Sequence, residues 1–253
     1  YLTRMPDNSY VQTNRNMGLT KSNQFVLGYD LSVTRDLRLK LETYYQYLFD
    51  VPVEQRPSST SLLNTGAYWG PNTTDSLVNK GTGRNYGLEL TLEKFFSRNY
   101  YYLVTASLFD SKYKGSDGIE RNTAFNGHFV INCLAGKEFK LGDRKALALD
   151  FKVTYAGGIR YTPIDTVASR IKGEEVLFDN LAFSKQFPNF LKIDVKIGYR
   201  LNGRKVSQEW QFYVENVTNH KNFLGMQYNV RKNEERTLYQ MGFFPMVLYR
   251  INF

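Results

Sequence analysis

The chain has 253 residues, a mean hydropathy of −0.45 and a formal net charge of +9, with 19 tyrosines and 18 phenylalanines. No apolar run approaches the roughly 18 residues of a membrane-spanning helix, which excludes a helical membrane protein but not strands whose alternating residues average to neutral hydropathy. The lysines and arginines are spread among 24 acidic residues, so the charge indicates basic loops or a basic lumen more than a nucleic-acid surface.

Apolar and polar residues alternate with period two from about residue 24 onward, which is typical of half-exposed strands. Residues 88–93, for example, place three leucines on one face and Glu89, Thr91 and Glu93 on the other. In chain order we predict about nine strands, at 24–34, 37–49, 84–95, 100–113, 125–139, 145–157, 189–200, 206–216 and 238–253.

The later strands show the same division into two faces. The odd positions of 191–197 are all apolar, whereas the even positions are Lys192, Asp194 and Lys196. Because three charges on one face require that face to be wet, we expect these side chains to contact water and the apolar face to contact lipid.

The connections between the predicted strands alternate in length. Tight turns are expected at 35–36, 96–99, 140–144 and 201–205, and long loops at 50–83, 114–124, 158–188 and 217–237. Short turns at one rim and long loops at the other are typical of an outer-membrane barrel. A soluble β-sandwich also alternates, but it rarely combines strands of this length with this pattern of connections.

The direction of the strands follows from these connections. The last strand comes after a long loop, so it is expected to descend to the short-turn, periplasmic rim. The first strand descends too, which makes residues 1–23 the end of an outer loop and 24–253 nine strands of a wall. Nine strands would leave two open edges in lipid, so we expect the remaining N-terminal strands to come from elsewhere.

The C-terminal residues Tyr249, Ile251 and Phe253 lie on one face of the last predicted strand. They resemble the C-terminal signal by which outer-membrane proteins are recognised by the barrel-assembly machinery. An unpaired edge with an anchoring aromatic row is what strand addition requires.

Five segments resemble the C-terminal barrel of TonB-dependent receptors, especially those of Bacteroidetes-type bacteria. They are 24–29 (QFVLGY), 85–90 (NYGLEL), 158–165 (GIRYTPID), 193–200 (IDVKIGYR) and 214–222 (VENVTNHKN). The resemblance covers residues 24–253, and the five segments occur in order at family-like spacing.

This resemblance implies an all-β antiparallel transmembrane barrel of about 22 strands in the outer membrane of a Gram-negative bacterium. Such a barrel is closed by an N-terminal plug, which is absent from this sequence, and the TonB complex acts through that plug. The implied function is energised import of a scarce nutrient, such as a ferric siderophore, haem, cobalamin, a glycan or a peptide. The implied partners also include membrane lipids and lipopolysaccharide. A passive porin is the main alternative, and a barrel enzyme is a weaker one.

The ligand of such a receptor is expected in the outer loops. Tyr68 and Trp69 could stack on a ligand or anchor their loop on the barrel rim. Arg160, Tyr161 and Arg170 could meet an anionic ligand, or the arginines could form salt bridges to nearby acids, which are Asp165, Glu174 and Glu175.

No arrangement of residues indicates an enzyme or a bound cofactor. The sequence lacks a phosphate loop, a dinucleotide fingerprint and a metal-ligand spacing, and His128 and His220 are far apart. Glu89 and Glu93 are more simply explained as charges of a polar lumen than as a catalytic pair. We therefore expect no catalytic residue, no cofactor and no metal.

Overall fold

A computed structural model of the chain describes residues 3–4, 7–67 and 76–253, and these residues are mostly antiparallel β-sheet. The strands are β1 (Thr3–Arg4), β2 (Tyr10–Val11), β3 (Lys21–Thr34), β4 (Leu37–Glu54), β5 (Leu77–Ser97), β6 (Tyr100–Lys114), β7 (Glu120–Asn122), β8 (Phe129–Lys140), β9 (Lys145–Ala156), β10 (Arg160–Tyr161), β11 (Lys185–Gln186), β12 (Phe190–Asn202), β13 (Ser207–Glu215), β14 (Phe223–Asn229), β15 (Glu234–Tyr239) and β16 (Phe244–Asn252). The helix α1 spans Thr166–Lys172, and single 3-10 turns span Leu62–Asn64 and Asp179–Leu181. Within the described ranges, no helix is both long enough and apolar enough to cross a membrane.

The main sheet is an up-and-down meander in the order β16-β13-β12-β9-β8-β6-β5-β4-β3, and β7 adds to one end of β6. All of its pairings are antiparallel, so the predicted all-β antiparallel class is confirmed. The nine strands along this path overlap the nine predicted segments. In the described part of the chain the sheet is open, since β3 and β16 each have one neighbour.

Two strand boundaries differ clearly from the sequence prediction. The ladder between β4 and β5 continues beyond a bulge at Asp50 and pairs Val53 with Val78, deep in the expected loop. The segment predicted as one last strand is divided into β15 and β16, because Asn219 accepts a hydrogen bond from the Phe243 amide at 3.1 Å and bends the chain. Periodicity alone does not reveal either contact.

The strand register aligns side chains into rows that run across the strands. One such row, from β4 to β12, is entirely apolar and contains Leu39, Leu92, Val104, Cys133, Val153 and Ile193. The opposite face carries ion pairs between strands, each at 2.8 Å, such as Lys196–Asp150 between the neighbouring β12 and β9, and Arg200–Glu138 between β12 and β8, on either side of β9. We call these the apolar face and the charged face.

The expectation that Asp194 contacts water is wrong. It lies on the charged face but is 2% exposed, and it accepts a hydrogen bond from the Asn216 amide at 2.9 Å. Asn216 has a φ of +49° where the chain leaves the sheet, so its amide has no ladder partner. The carboxylate satisfies this amide, which is why it is buried.

Two of the short turns, which lie at the end of the sheet opposite the long connections, are joined to each other. Asp36, in the turn between β3 and β4, accepts hydrogen bonds from Lys94 at 2.8 Å and from Ser97. The Lys94 ammonium is the main reason that the pKa of Asp36 lies well below its ordinary value. This contact fixes the β3–β4 turn against the β5–β6 turn.

The long connections pack together above the other end of the sheet into what we call the cap, comprising residues 55–67, 115–128, 157–189 and 216–243. Ser59 donates its amide and hydroxyl to Asp179, and Asn64 accepts from the Ala124 amide at 2.9 Å. Beneath these bonds lies a small buried cluster of Tyr113, Ala124, Ala182 and Phe183. The cap therefore has a small core, to which Tyr113 of β6 also contributes.

Candidate functional site

A cleft of about 470 Å³ opens in the cap between residues 159–187 and the β14–β15 hairpin. Its walls are mainly apolar and aromatic. The lining residues are Ala67, Ile159, Arg160, Tyr161, Thr162, Ile164, Glu175, Leu177, Phe183, Phe187, Leu224, Gly225, Met226, Gln227, Tyr228 and Leu238. A space of this size suits a small organic ligand.

Ring stacking joins the two sides of the cleft. The Tyr161 and Phe187 rings stack at 4.2 Å between centroids, and Phe187 stacks on Phe223 of the hairpin at 5.3 Å. The Tyr228 amide donates to Glu175 at 2.7 Å, which is a second bond across the cleft. Stacked rings and a charge-assisted hydrogen bond together hold the hairpin against the loop.

The loop that carries one wall is ordered by conventional local signals. Asp165 caps α1 by accepting from the Ala168 amide at 2.9 Å, and Gly173 ends the helix with a φ of +69°. On either side of this helix, β10 pairs with β11, so that Tyr161 and Phe187 come together.

A smaller pocket of about 220 Å³ adjoins the cleft, and the two share Ile159 and Phe187. The backbones approach so closely here that a Cβ on Gly157 would lie 1.7 Å from the Gly127 carbonyl oxygen. The pocket is lined by Phe109, Phe125, Gly127, Phe129, Val130, Ala156, Gly157, Gly158, Ile159, Phe187, Pro188, Phe190, Phe223 and Gln240.

Arg160 lies at the cleft, but its guanidinium is engaged elsewhere. It donates to the Asn126 carbonyl at 3.0 Å and contacts His128 Nε2 at 2.8 Å. Burial is the main reason that the pKa of Arg160 is lowered. The alternative that Arg160 forms a salt bridge to Asp165, Glu174 or Glu175 is wrong. The partners of its guanidinium are Asn126 and His128 instead.

The sequence-predicted ligand residues do not form one group. Tyr161 is in the cleft wall, stacked on Phe187. Arg170 is an exposed residue of α1 that does not line the cleft. Tyr68 and Trp69 lie outside the described residues, although Ala67, which precedes them, lines the cleft.

Sequence reasoning missed Phe183, Phe187 and Tyr228, which are 6%, 6% and 4% exposed. The available signal was the aromatic content of segments predicted as loops. A loop that is exposed to solvent rarely carries large aromatic side chains. The closely spaced Phe183 and Phe187 therefore indicate a loop with its own buried core.

Among the described residues, no group of three or more histidine, cysteine or acidic side chains could hold a metal ion. No protein-family model matches this chain, and no curated protein is significantly similar to it. The faces of the sheet and the cap are therefore the features that bear on function.

Proposed function

We propose that this chain is part of the wall of an outer-membrane barrel that imports a scarce nutrient, of the TonB-dependent receptor type. The observation that carries the proposal is the apolar face, which is exposed and lies between two rows of aromatic side chains. Membrane barrels have such an apolar band with an aromatic girdle at each interface.

The lower aromatic row lies near the short turns and consists of Phe139, Tyr199, Trp210 and Tyr249, aligned by the register of their strands. The centroid distances are 5.9 Å for Tyr199–Trp210 and 5.3 Å for Trp210–Tyr249. The upper aromatic row lies below the cap. It consists of Phe25, Tyr45 and Tyr86, which are paired in register, and of Phe129 and Tyr155, whose ring centroids are 5.3 Å apart.

The spacing of the two rows suits a bilayer. On β9, Tyr155 of the upper row is eight positions from Leu147, which pairs directly with Tyr199 of the lower row. Eight residues of strand span about 26 Å at roughly 3.3 Å each, which is about 20 Å along the membrane normal at a strand tilt of roughly 40°. This height is comparable with the apolar band of outer-membrane barrels, which is about 25 Å tall. Between the rows, Leu149, Phe151 and Ile197 are 41%, 45% and 43% exposed.

The charged face suits an aqueous lumen. Lys192 and Glu215 pair at 2.5 Å, and Arg250 and Glu209 at 3.7 Å, on strands that are consecutive in the sheet. The side chains of both pairs are partly exposed, as is usual for ion pairs on a solvated surface. Such a face would border a plug or a solvent-filled channel.

The edge strands β3 and β16 need partners if the sheet is in lipid. Each unpaired backbone group there costs on the order of several kcal/mol, because no water can replace the missing hydrogen bond. We propose that further strands pair with both and close the barrel around a plug that the TonB complex engages. The cap would then face outward, towards lipopolysaccharide and the nutrient.

The experiment is fractionation and uptake with the whole protein that contains this chain. We expect it in the outer-membrane fraction, with an electrophoretic mobility that changes on boiling, as for folded barrels. We also expect nutrient-limited growth that needs both this gene and an intact TonB complex. Recovery in the soluble fraction would contradict the proposal, and rapid TonB-independent flux of small solutes would favour a porin.

A further inference from the structure

Arg160 and Glu175 balance each other in the described wall of the cleft, so that wall carries no net charge, although the chain as a whole carries +9. We propose that the cleft binds a neutral ligand with a ring-shaped apolar face and hydroxyl or amide groups at its edge. This inference rests on the proposed function, because it takes the occupant of the cleft to be the imported nutrient.

The charges in the wall of the cleft balance. Among the described lining residues, Arg160 is basic and Glu175 is acidic. Arg160 donates to the Asn126 carbonyl and contacts His128, and Glu175 accepts from the Tyr228 amide. The described wall therefore has no net charge that would favour an anionic ligand over a neutral one.

Tyr161 and Phe187 are the stacked rings in the described cleft wall, and the stack continues away from it through Phe223 to Tyr239. Phe187 is 6% exposed and has a ring on each side, whereas Tyr161 is partly exposed. The Tyr161 ring is therefore fixed by stacking and remains partly accessible. A ring fixed in this way binds best to a flat or ring-shaped apolar face, which loses little conformational entropy on stacking.

Polar groups also line the cleft. Gln227 is exposed at the cleft, and one carboxylate oxygen of Glu175 is not used by Tyr228. An amide and a carboxylate oxygen beside an apolar wall can accept hydrogen bonds from hydroxyl or amide groups. A few polar groups on an apolar wall are the usual composition of a small-molecule site.

The test uses two soluble probes with the same ring system, 2-naphthyl β-glucoside and 2-naphthyl phosphate. Binding to the whole protein in detergent is measured by saturation-transfer NMR. Gly225 is the position for a blocking variant, because it lines the cleft and a Cβ there meets no heavy atom within 4 Å. Gly225→Trp therefore introduces an indole at the cleft with no clash at its Cβ.

Val230→Trp is the matched control. Val230 follows β14 in the same hairpin, is 45% exposed and does not line the cleft. It adds the same indole at a place where ligand binding should be unaffected. Any saturation-transfer signal that remains with Gly225→Trp measures the probe that has partitioned into detergent.

We expect the glucoside to bind the wild type and Val230→Trp equally, and Gly225→Trp at least about tenfold more weakly. The phosphate should show no loss specific to Gly225→Trp. A phosphate signal lost in that variant, or a glucoside signal unchanged by it, would overturn the inference. Either result leaves membrane fractionation and TonB-dependent growth unaffected, so failure of the cleft and failure of the proposed function are distinguishable.

Discussion

At the scale of single residues, the best-defined charge pair of the cap is Arg121 with Asp117. Arg121 is 8% exposed, and its guanidinium contacts the two carboxylate oxygens of Asp117 at 2.9 and 2.7 Å. The hydrogen bonds from Arg121 are the main reason that the pKa of Asp117 lies below its ordinary value of 3.8. The Ile119 amide also donates to this carboxylate at 3.0 Å.

The first prediction is that Asp117→Asn destabilises the protein in a pH-dependent way. A carboxylate with a lowered folded-state pKa stabilises the fold above its unfolded pKa, and this contribution is lost as the pH falls through the folded pKa. Near neutral pH we expect a loss of about 1.5–3 kcal/mol. Urea unfolding of both proteins from pH 7 downward checks this.

The two unfolding curves should converge only below pH 3.8, the ordinary aspartate value. Asp143→Asn, in the exposed turn between β8 and β9, is the control and should change little at any pH. A constant difference between wild type and Asp117→Asn throughout the acid range would show that the charge of Asp117 is not the cause.

The second prediction concerns Val195 on the apolar face, which pairs with Phe151 and Val214 in neighbouring strands. If this face contacts lipid, Val195→Arg should cost about 2–4 kcal/mol in a phospholipid bilayer, because it places a charge near the midplane. Urea unfolding in liposomes measures the cost.

Gln211→Arg is the matched control for this substitution. Gln211 lies on the charged face and donates to Glu209 at 2.7 Å, so a new cation there has an acid beside it. Its cost should be well under 1 kcal/mol, about that of an exposed ion pair. Equal costs for the two substitutions would contradict the assignment of the faces.

The sequence allowed some of these residues to be predicted and not others, for a physical reason. A strand alternates strictly, so the face of Val195 follows from its position alone. The burial of Asp194 depends on Asn216, whose amide lacks a ladder partner only because the chain turns there. Contacts that depend on how a chain leaves a strand are not encoded in periodicity.

At the scale of elements, the cap is joined by bonds between segments that are distant in sequence. Ser59 and Asp179 are 120 positions apart, and the Ser59 hydroxyl donates to the carboxylate at 2.5 Å. Ser59 is 7% exposed. The lengths and compositions of these segments predicted loops. Neither length nor composition indicates that the two segments pack on each other.

The third prediction is that Asp179→Ala loosens two segments together. Residues 56–62 lose the acceptor for the Ser59 amide, and residues 176–184 lose the anchor provided by Ser59. A buried donor left unsatisfied costs about 1–3 kcal/mol. Hydrogen exchange should therefore accelerate in both segments, by about tenfold or more.

The strands β8 and β9 provide the internal reference for this measurement, since their ladder does not involve Asp179. Their exchange rates should stay unchanged. Acceleration confined to 176–184 would indicate that the hydrogen bond to Ser59 does not join the two segments.

At the scale of the whole molecule, the sheet formed by the described residues has an apolar face, a charged face and two edge strands with one neighbour each. A soluble protein would have to cover both the exposed apolar rows and the unpaired edges. The closed membrane barrel proposed above would satisfy both requirements, because lipid would cover the apolar face and further strands would pair with β3 and β16. The cap, with its buried cluster and cleft, would then lie where an external ligand arrives.

The last prediction concerns assembly of this wall through its C-terminal residues. Tyr249 packs against Trp210 at 5.3 Å, whereas Phe253 is 98% exposed. A side chain so exposed contributes little to folded stability, so its removal should cost under about 0.5 kcal/mol. If Phe253 is part of the assembly signal, its deletion should still reduce the amount of folded protein in the outer membrane severalfold.

The measurement is the boiling-dependent mobility shift of the whole protein in membranes isolated after induction. Phe253→Tyr is the control, because it retains an aromatic ring and should assemble normally. Urea unfolding of the fraction that does assemble separates recognition from stability. Unchanged assembly after deletion would remove Phe253 from the signal, whereas a matching loss of stability would mean that its ring packs against a partner strand on the free edge of β16.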